Sequence, residues 1–542
     1  MNTRHTFILA VLSLILTNCK ASKPQKPDKP KLIVSIVVDQ MRYDYLDRFK
    51  ELYTQDGFNR LRKNGFDFRN THYNYIPTRT APGHASLFTG TTPSRHGIGG
   101  NGWFDKNLKK GIFSISDTTV HLISHRNKSK GSASYSPANL LASTVGDELK
   151  LATYGESKVI GIGIKARASV LTSGHAADAA YWISGGELVT SSYYRDSLPQ
   201  WAISFNGKER TEELLKDGWP LLLPVDQYPA SLVSNDNRKE EYSITEQSPV
   251  FPYTFGRNEH DLIGTTPFGN TLLTEAAIAC IEGEDLGQGD VSDFLIIGYS
   301  ATDYIGHRYG AGSLEMMDAY LRLDRDIGYL IDALDQKVGD GNYVIVLTAD
   351  HGGMHTSEHL SDHHFHTGLT QKNQLREHLN NYFQQKYGLT DIVLRLKDEQ
   401  VYLDFEQATR KGITKEEVEE IALNWFKKQE GIRDVVSKTD LLSRSFKNDE
   451  VRQMLKRGVY PSRSGDVFFM HEPGWQSKYM AANHGTAYTY DTHVPNVWYG
   501  WKIPQGESVE RKEITSIAPT LSMMFRVSLP NASSTVPLKE VL

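Results

Sequence analysis

Apolar residues fall along this chain in two alternating rhythms. Short β-branched runs at Leu32 to Val38, Lys158 to Ile164, Phe294 to Tyr299 and Tyr343 to Thr348 have almost no polar interruption, the pattern of strands buried on both faces. Between such runs lie amphipathic stretches. In Leu314 to Leu334, Met316, Tyr320, Leu323 and Ile327 recur at helical spacing. Buried strands alternating with helices predict an α/β fold, a doubly wound and mainly parallel sheet.

Two stretches interrupt that rhythm. From about Ser184 to Phe268 the chain is rich in Tyr, Trp, Pro and charge and has little periodicity, which reads as a lid-like, substrate-facing insertion. From about Gln371 to Gly465 the order becomes strand, strand, helix: Ile392 to Leu396, Gln400 to Phe405, then Lys415 to Gln429. Thr414, with Glu417 three residues on, forms a capping box at the start of that helix. This second stretch reads as a small α+β insertion.

The first residues have a different logic. Arg4 and His5 precede an apolar run from Phe7 to Leu16 that is too short to span a bilayer, the pattern of an export signal over residues 1–19. Leu16-Thr17-Asn18-Cys19 resembles a lipoprotein box, with Asn18 where a small residue is usual, so lipid attachment at Cys19 and simple cleavage both remain open. Residues 20–31, rich in Pro and Lys, suit an extended tether. The expected location is therefore the periplasm or the cell envelope, and the only membrane attachment foreseen is that lipid. Cys280 is the only other cysteine, so no structural disulfide is expected.

Composition narrows the function classes. The 542 residues are 39% apolar and carry a formal net charge of -5, with Lys and Arg dispersed along the chain. That excludes a disordered chain and offers no basic stripe for a nucleic acid. A small phosphate-bearing molecule stays compatible.

The candidate chemistry sits where the buried runs end. Asp39 follows Val38, Asp303 comes shortly after Tyr299, and Asp350 shortly after Thr348. In a parallel sheet these positions share the carboxyl edge, where open α/β sheets bind ligands. His351 follows Asp350 directly, and His307 lies one helical turn after Asp303, so Asp303 and His307 can point at one ion. His484 is a third candidate, far along the chain. Mixed aspartate and histidine donors without thiolates favour zinc. Thr80, just ahead of Pro82, is placed at the N-cap of a helix, where free N–H groups attract an anion; a nearby metal would activate its weak hydroxyl. Lys165 and Arg167, two residues apart, would project from one face of an extended segment and could grip phosphoryl oxygens, although a solvated pair is the simpler reading. Asn101, in Gly99-Gly100-Asn101-Gly102, reads first as a tight turn. His355, His359 and His363 stand at four-residue steps that on a helix could bind an extra metal, but with His364 and His366 they read first as a polar loop.

Taken together, Val38-Asp39-Gln40-Met41-Arg42, the Thr80 segment, Lys165-Ala166-Arg167, Thr302-Asp303-Tyr304-Ile305-Gly306-His307, Ala349-Asp350-His351-Gly352 and Asn483-His484-Gly485 resemble the alkaline phosphatase superfamily, most closely its PafA-type bacterial members. The resemblance implies an alkaline-phosphatase-like catalytic domain over residues 32–542. It implies two Zn2+ ions, one on Asp39, Asp350 and His351 beside Thr80, the other on Asp303, His307 and His484. It also assigns Asn101, Lys165 and Arg167 to the phosphate. The implied activity is hydrolysis of small phosphate monoesters through a phosphothreonine on Thr80. A sulfatase is disfavoured, because its formylglycine precursor, a Cys or Ser, is replaced by Thr80. A phosphodiesterase or nucleotide pyrophosphatase of the same superfamily is the near alternative, and the Lys165 and Arg167 pair favours the dianionic monoester. A non-catalytic phosphate-binding surface lipoprotein is the alternative from another class.

Overall fold

The computed structural model describes residues 27–125, 134–244, 247–256, 259–477 and 480–542; the expected signal, Cys19 and the first part of the tether lie outside the described residues. Ten described strands form the central sheet: β1 (Leu32–Val38), β2 (Phe66–Phe68), β3 (Leu122–Ile123), β4 (Val159–Gly163), β5 (Ala179–Ser184), β6 (Glu187–Ser191), β7 (Asp293–Tyr299), β8 (Tyr343–Thr348), and, later in the chain, β13 (Asn496–Gly500) and β14 (Gly506–Ser508). Their spatial order is β14-β2-β13-β8-β1-β7-β4-β5-β6-β3. The middle five, β8 to β5 in that order, are parallel, and antiparallel pairings flank them. Every residue of β1, β7 and β8 is buried, which is why their sequences read as continuous apolar runs rather than alternating ones.

Register fixes the edge on which chemistry can occur. Val38 pairs with Tyr299, and Val37 with Thr348, so the three central strands end level with one another. Asp39, Ser300 and Ala349 therefore leave the sheet together. This is a mainly parallel α/β sheet whose ligand edge lies at the strands' carboxyl ends.

Helices that begin at this edge carry the remaining site residues: α1 (Thr80–Thr89), α2 (Ala166–Ser173) and α3 (Ala301–Tyr309). The long helix α4 (Leu314–Leu334) has the bounds its periodicity predicts, and Met316, Tyr320, Leu323 and Ile327 are all fully buried.

The stretch between residues 184 and 268 contributes β6 to the sheet and then runs through short helices. Its Trp219, Tyr228 and Tyr253 join the main hydrophobic core, and Trp219 stacks edge-on against Phe251 and Tyr309. Helices of four to seven residues leave no period to read, which explains the featureless pattern.

Further on, α5 (Lys372–Tyr387) and α6 (Lys415–Phe426) pack on a separate four-stranded antiparallel sheet of β9 (Val393–Lys397), β10 (Gln400–Leu403), β11 (Ile432–Ser437) and β12 (Val467–His471). The Thr414–Glu417 capping box is present. Phe405 opens a short helix instead of ending β10, because Asp404 caps it. Strands β11 and β12 add to the strand, strand, helix order of the sequence pattern, and β12 continues the sheet past residue 465. The charged Arg433 and Asp434 break the apolar alternation of β11, since its start is partly exposed.

Candidate active site

The acidic residues at the strand ends come together with the histidines. Asp39, Asp350 and His351 each place one ligand atom within 4.8 Å of the others, and Asp303, His351 and His484 do the same; all five residues are buried. His307 joins from the next turn of α3, its Nε2 lying 3.3 Å from Asp303 Oδ1. Its ring stacks on His484 at 5.2 Å, and His484 in turn stacks on His351 at 3.6 Å.

The tautomers of these rings follow from their other nitrogens. His307 Nδ1 is 2.8 Å from the Ala482 carbonyl, His351 Nδ1 is 2.8 Å from that of Gly352, and His484 Nδ1 is 2.8 Å from that of Thr78. Each carbonyl can only accept, so each Nδ1 carries the hydrogen and each Nε2 presents a lone pair. Those lone pairs face carboxylate oxygens: His351 Nε2 is 3.4 Å from Asp39 Oδ1 and 3.5 Å from Asp350 Oδ2, and His484 Nε2 is 3.6 Å from Asp303 Oδ1. Asp39 Oδ1, Asp350 Oδ2 and His351 Nε2 have no hydrogen-bond partner. Acceptor facing acceptor in a buried site is unfavourable unless a cation lies between them. The donor set therefore fits a metal centre.

Charge balance points the same way. Three buried carboxylates are offset by one ammonium, Lys165 Nζ, which donates to Asp39 Oδ2 at 2.8 Å and to Asp303 Oδ2. Burial, then the charges of Asp303 and Asp350, push Asp39 up to about 7. Burial raises Asp303 as well, but His307, Lys165 and His484 outweigh it and hold that carboxyl well below its ordinary range. Burial lowers both His307 and His484, which favours the neutral form that ligates.

Thr80 lies beside this cluster. Asp350 packs under the first turn of α1 so closely that a Cβ on Gly83 would meet its carbonyl oxygen at 2.2 Å. Arg79, not Thr80, is the N-cap of α1, and Thr80 is its first helical residue; the one-residue shift leaves the Thr80 hydroxyl free of a capping role. Asn101 does more than turn the chain. Its Oδ1 accepts from Ala81 N at 2.9 Å, at the start of that helix. Lys165 is the extended N-cap of α2 and Arg167 is already helical, so strand alternation is not what aims them. Arg167 nonetheless lines the same cavity of about 430 Å³ as Thr80, Asn101, Asp303, His307 and His484, and its Nε is buried without a partner. Lys165 reaches the site from below, through its two carboxylates. All ten predicted positions thus belong to one connected constellation.

Loop contacts explain why His484 arrives there. Asp491 accepts from Gly485 N at 3.0 Å, Thr486 N at 2.7 Å and Thr486 Oγ1 at 2.6 Å, while Asn483 O accepts from Met354 N at 3.0 Å. Several partners were not singled out from the sequence. Gln40, in the left-handed region at φ 63°, donates from its backbone to Asp350 Oδ1 at 3.2 Å and from Nε2 to Asp303 Oδ1 at 2.9 Å, so it links two of the carboxylates. His84 places Nδ1 2.8 Å from Thr80 O and 3.3 Å from Asp350 Oδ2. Arg79 is held by the β9–β10 turn, donating to Glu399 Oε2 at 3.0 Å. Helical spacing from Thr80 could have flagged His84, but no local pattern flags Glu399. In the later histidine run only residues 357–362 are helical; the rings of His355 and His359 stack at 4.8 Å, and those of His359 and His363 lie 4.5 Å apart.

Comparison with known proteins agrees with this geometry. A family model described as type I phosphodiesterase / nucleotide pyrophosphatase matches residues 33–500. The alkaline phosphatase PafA of Elizabethkingia meningoseptica is 38% identical over all of both chains. A protein of Myroides odoratus named calcium-transporting ATPase is 37% identical, again over all of both chains. The crystal structure of wild-type PafA matches with a TM-score of 0.90 at 37% identity, covering 95% of this chain and 99% of that one. The chain therefore belongs to the type I phosphodiesterase / nucleotide pyrophosphatase family, within the alkaline phosphatase superfamily.

Proposed function

We propose that the protein is an exported, zinc-dependent alkaline phosphatase that hydrolyses small phosphate monoesters through a phosphothreonine on Thr80. The observation that carries this reading is the buried set of histidine lone pairs facing carboxylate oxygens next to the Thr80 hydroxyl. Similarity to PafA, whose name states an alkaline phosphatase, supports it.

In this reading Asp39, Asp350 and His351 hold one Zn2+, and Asp303, His307 and His484 hold another. Bound there, the ions would lower the pKa of a nearby hydroxyl and offset charge that develops on oxygen. Thr80 Oγ forms a bond to phosphorus as the bond to the departing alcohol oxygen breaks. Arg167, Asn101 and Lys165 hold the phosphoryl oxygens, Arg167 as a planar fork and Lys165 as a point charge. Water then cleaves the phosphothreonine and regenerates the hydroxyl.

Two cationic side chains beside Thr80 favour a monoester, whose phosphoryl group carries two charges, over a diester. The 184–268 stretch would act as a lid, since Tyr242 lines the cavity, and the 371–465 insertion would brace the site through Glu399. Residues 1–19 would direct export, with Cys19 as the point of any lipid anchor.

The test uses the zinc-loaded full chain with a monoester, a diester and ATP. Thr80→Ala should retain its zinc and lose monoester turnover at least a thousandfold, while the wild type, quenched in acid during turnover, should carry phosphate on the Thr80 peptide. Full activity in Thr80→Ala would refute the nucleophile. Faster diester than monoester hydrolysis would move the protein to the phosphodiesterase reading.

A further inference from the structure

The cavity next to Thr80 is far larger than a phosphoryl group, and its lining includes a cation that phosphate binding does not use. Arg308 follows His307 on α3 and lines the same 430 Å³ space as Thr80, Asn101 and Arg167. Two contacts fix its head group. Nη1 donates to the Ser243 carbonyl at 3.0 Å, and the guanidinium carbon stands 5.2 Å from the centre of the Tyr242 ring. Tyr242 N also donates to the Arg308 carbonyl at 3.2 Å, so this loop is tied to α3 at both backbone and side chain.

The other rim cations are already neutralised. Arg79 lies against Asp398 and Glu399, and Lys372 Nζ forms an ion pair with Glu399 at 3.1 Å. Among the described residues, no carboxylate lies within 4.0 Å of the Arg308 nitrogens. A partly buried guanidinium, held in place and with no carboxylate on it among the described residues, is preorganised for an anion from outside.

Resting on the phosphatase reading, we propose that Arg308 is a specificity residue for the leaving group, and that the preferred substrates are phosphate monoesters carrying a second anion, a carboxylate or a phosphate, on the alcohol. Thr80 and its neighbours take the transferred phosphoryl group. Arg308, on the cavity wall beside Tyr242, takes the distal anion.

The test compares kcat/KM of the zinc-loaded full chain for phenyl phosphate and for its 3-carboxymethyl and 3-phosphonomethyl derivatives, in which the spacer carbon keeps the leaving-group acidities close. For the wild type, at least one charged derivative should exceed phenyl phosphate by about fivefold to tenfold. The larger of the two ratios identifies the distal anion as carboxylate or phosphate. Arg308→Ala should bring both ratios to about one, and Arg308→Lys should keep part of the preference. A purely structural Arg308 would slow all three substrates together and leave the ratios alone, which would overturn the proposal. A wild type that shows no preference would overturn it equally. If the wild type does not hydrolyse phenyl phosphate at all, the phosphatase reading itself has failed.

Discussion

Glu399 Oε2 accepts from Arg79 Nη2 at 3.0 Å, joining the turn of the small insertion's hairpin to the residue just before Thr80. Glu399 also accepts from Ser477 Oγ at 2.7 Å and forms an ion pair with Lys372 Nζ at 3.1 Å. Burial raises this carboxyl, but Lys372 and Arg79 outweigh that and hold it well below its usual range. The insertion is thus electrostatically locked to the start of α1.

Glu399→Ala should therefore destabilise the fold by roughly 3 kcal/mol, because Arg79, with a side chain only 12% exposed, keeps just the weaker contact to Asp398 at 3.5 Å. Urea unfolding measures this, and a loss below about 1 kcal/mol would mean that the cluster is solvated and not a lock.

Gly83→Ala tests the seating of α1 on Asp350. The added Cβ would lie 2.2 Å from the Asp350 carbonyl oxygen, so Thr80 must shift relative to the acidic cluster. A displacement of about 1 Å is expected to lower kcat/KM roughly a hundredfold. The circular dichroism spectrum should stay unchanged, and wild-type activity in this variant would show that the contact relaxes elsewhere.

Metal removal should have two readouts. Chelation is expected to abolish phosphatase activity and to lower the melting temperature, since three buried carboxylates then have only Lys165 to offset them. Returning zinc to about 1,000 times its Kd should restore about 4 kcal/mol. Magnesium alone should not replace it, given the imidazole donors. A melting temperature indifferent to zinc would argue against a metal centre.

A pH effect should come from the insertion, away from the metal ligands. Burial, with the charge of Asp236 adding to it, pushes Glu241 up to about 8. The folded state therefore retains a proton that the unfolded chain loses near pH 4.5. The associated stability is complete below that pH and is lost as pH rises toward and through 8. Glu241→Gln, which cannot ionise, should gain roughly 2 kcal/mol relative to wild type between pH 6 and pH 9. Parallel pH profiles for the two proteins would contradict this assignment.

Much of the architecture was legible because it depends on local pattern. Strands buried on both faces must be apolar throughout, so β1, β7 and β8 announced themselves, and α4 did so through its helical period. Boundaries were less secure where a single capping contact decides them. Thr80 is a helical residue instead of the cap, and Asp404 ends β10 before Phe405. Strand β11 carries no such signal, because its exposed half is charged.

The sequence by itself determined that acidic residues follow three core strands and that a threonine opens a helix, since strand periodicity and proline placement are properties of neighbouring residues. Only the tertiary structure decided which nitrogen faces which oxygen. Arg79 and Glu399 are 320 positions apart, Lys165 aims at Asp39 and Asp303, and Arg308 meets no carboxylate among the described residues. Such pairings arise from strand register and loop closure over long separations, and side-chain charge finds its partner only after the backbone has been placed.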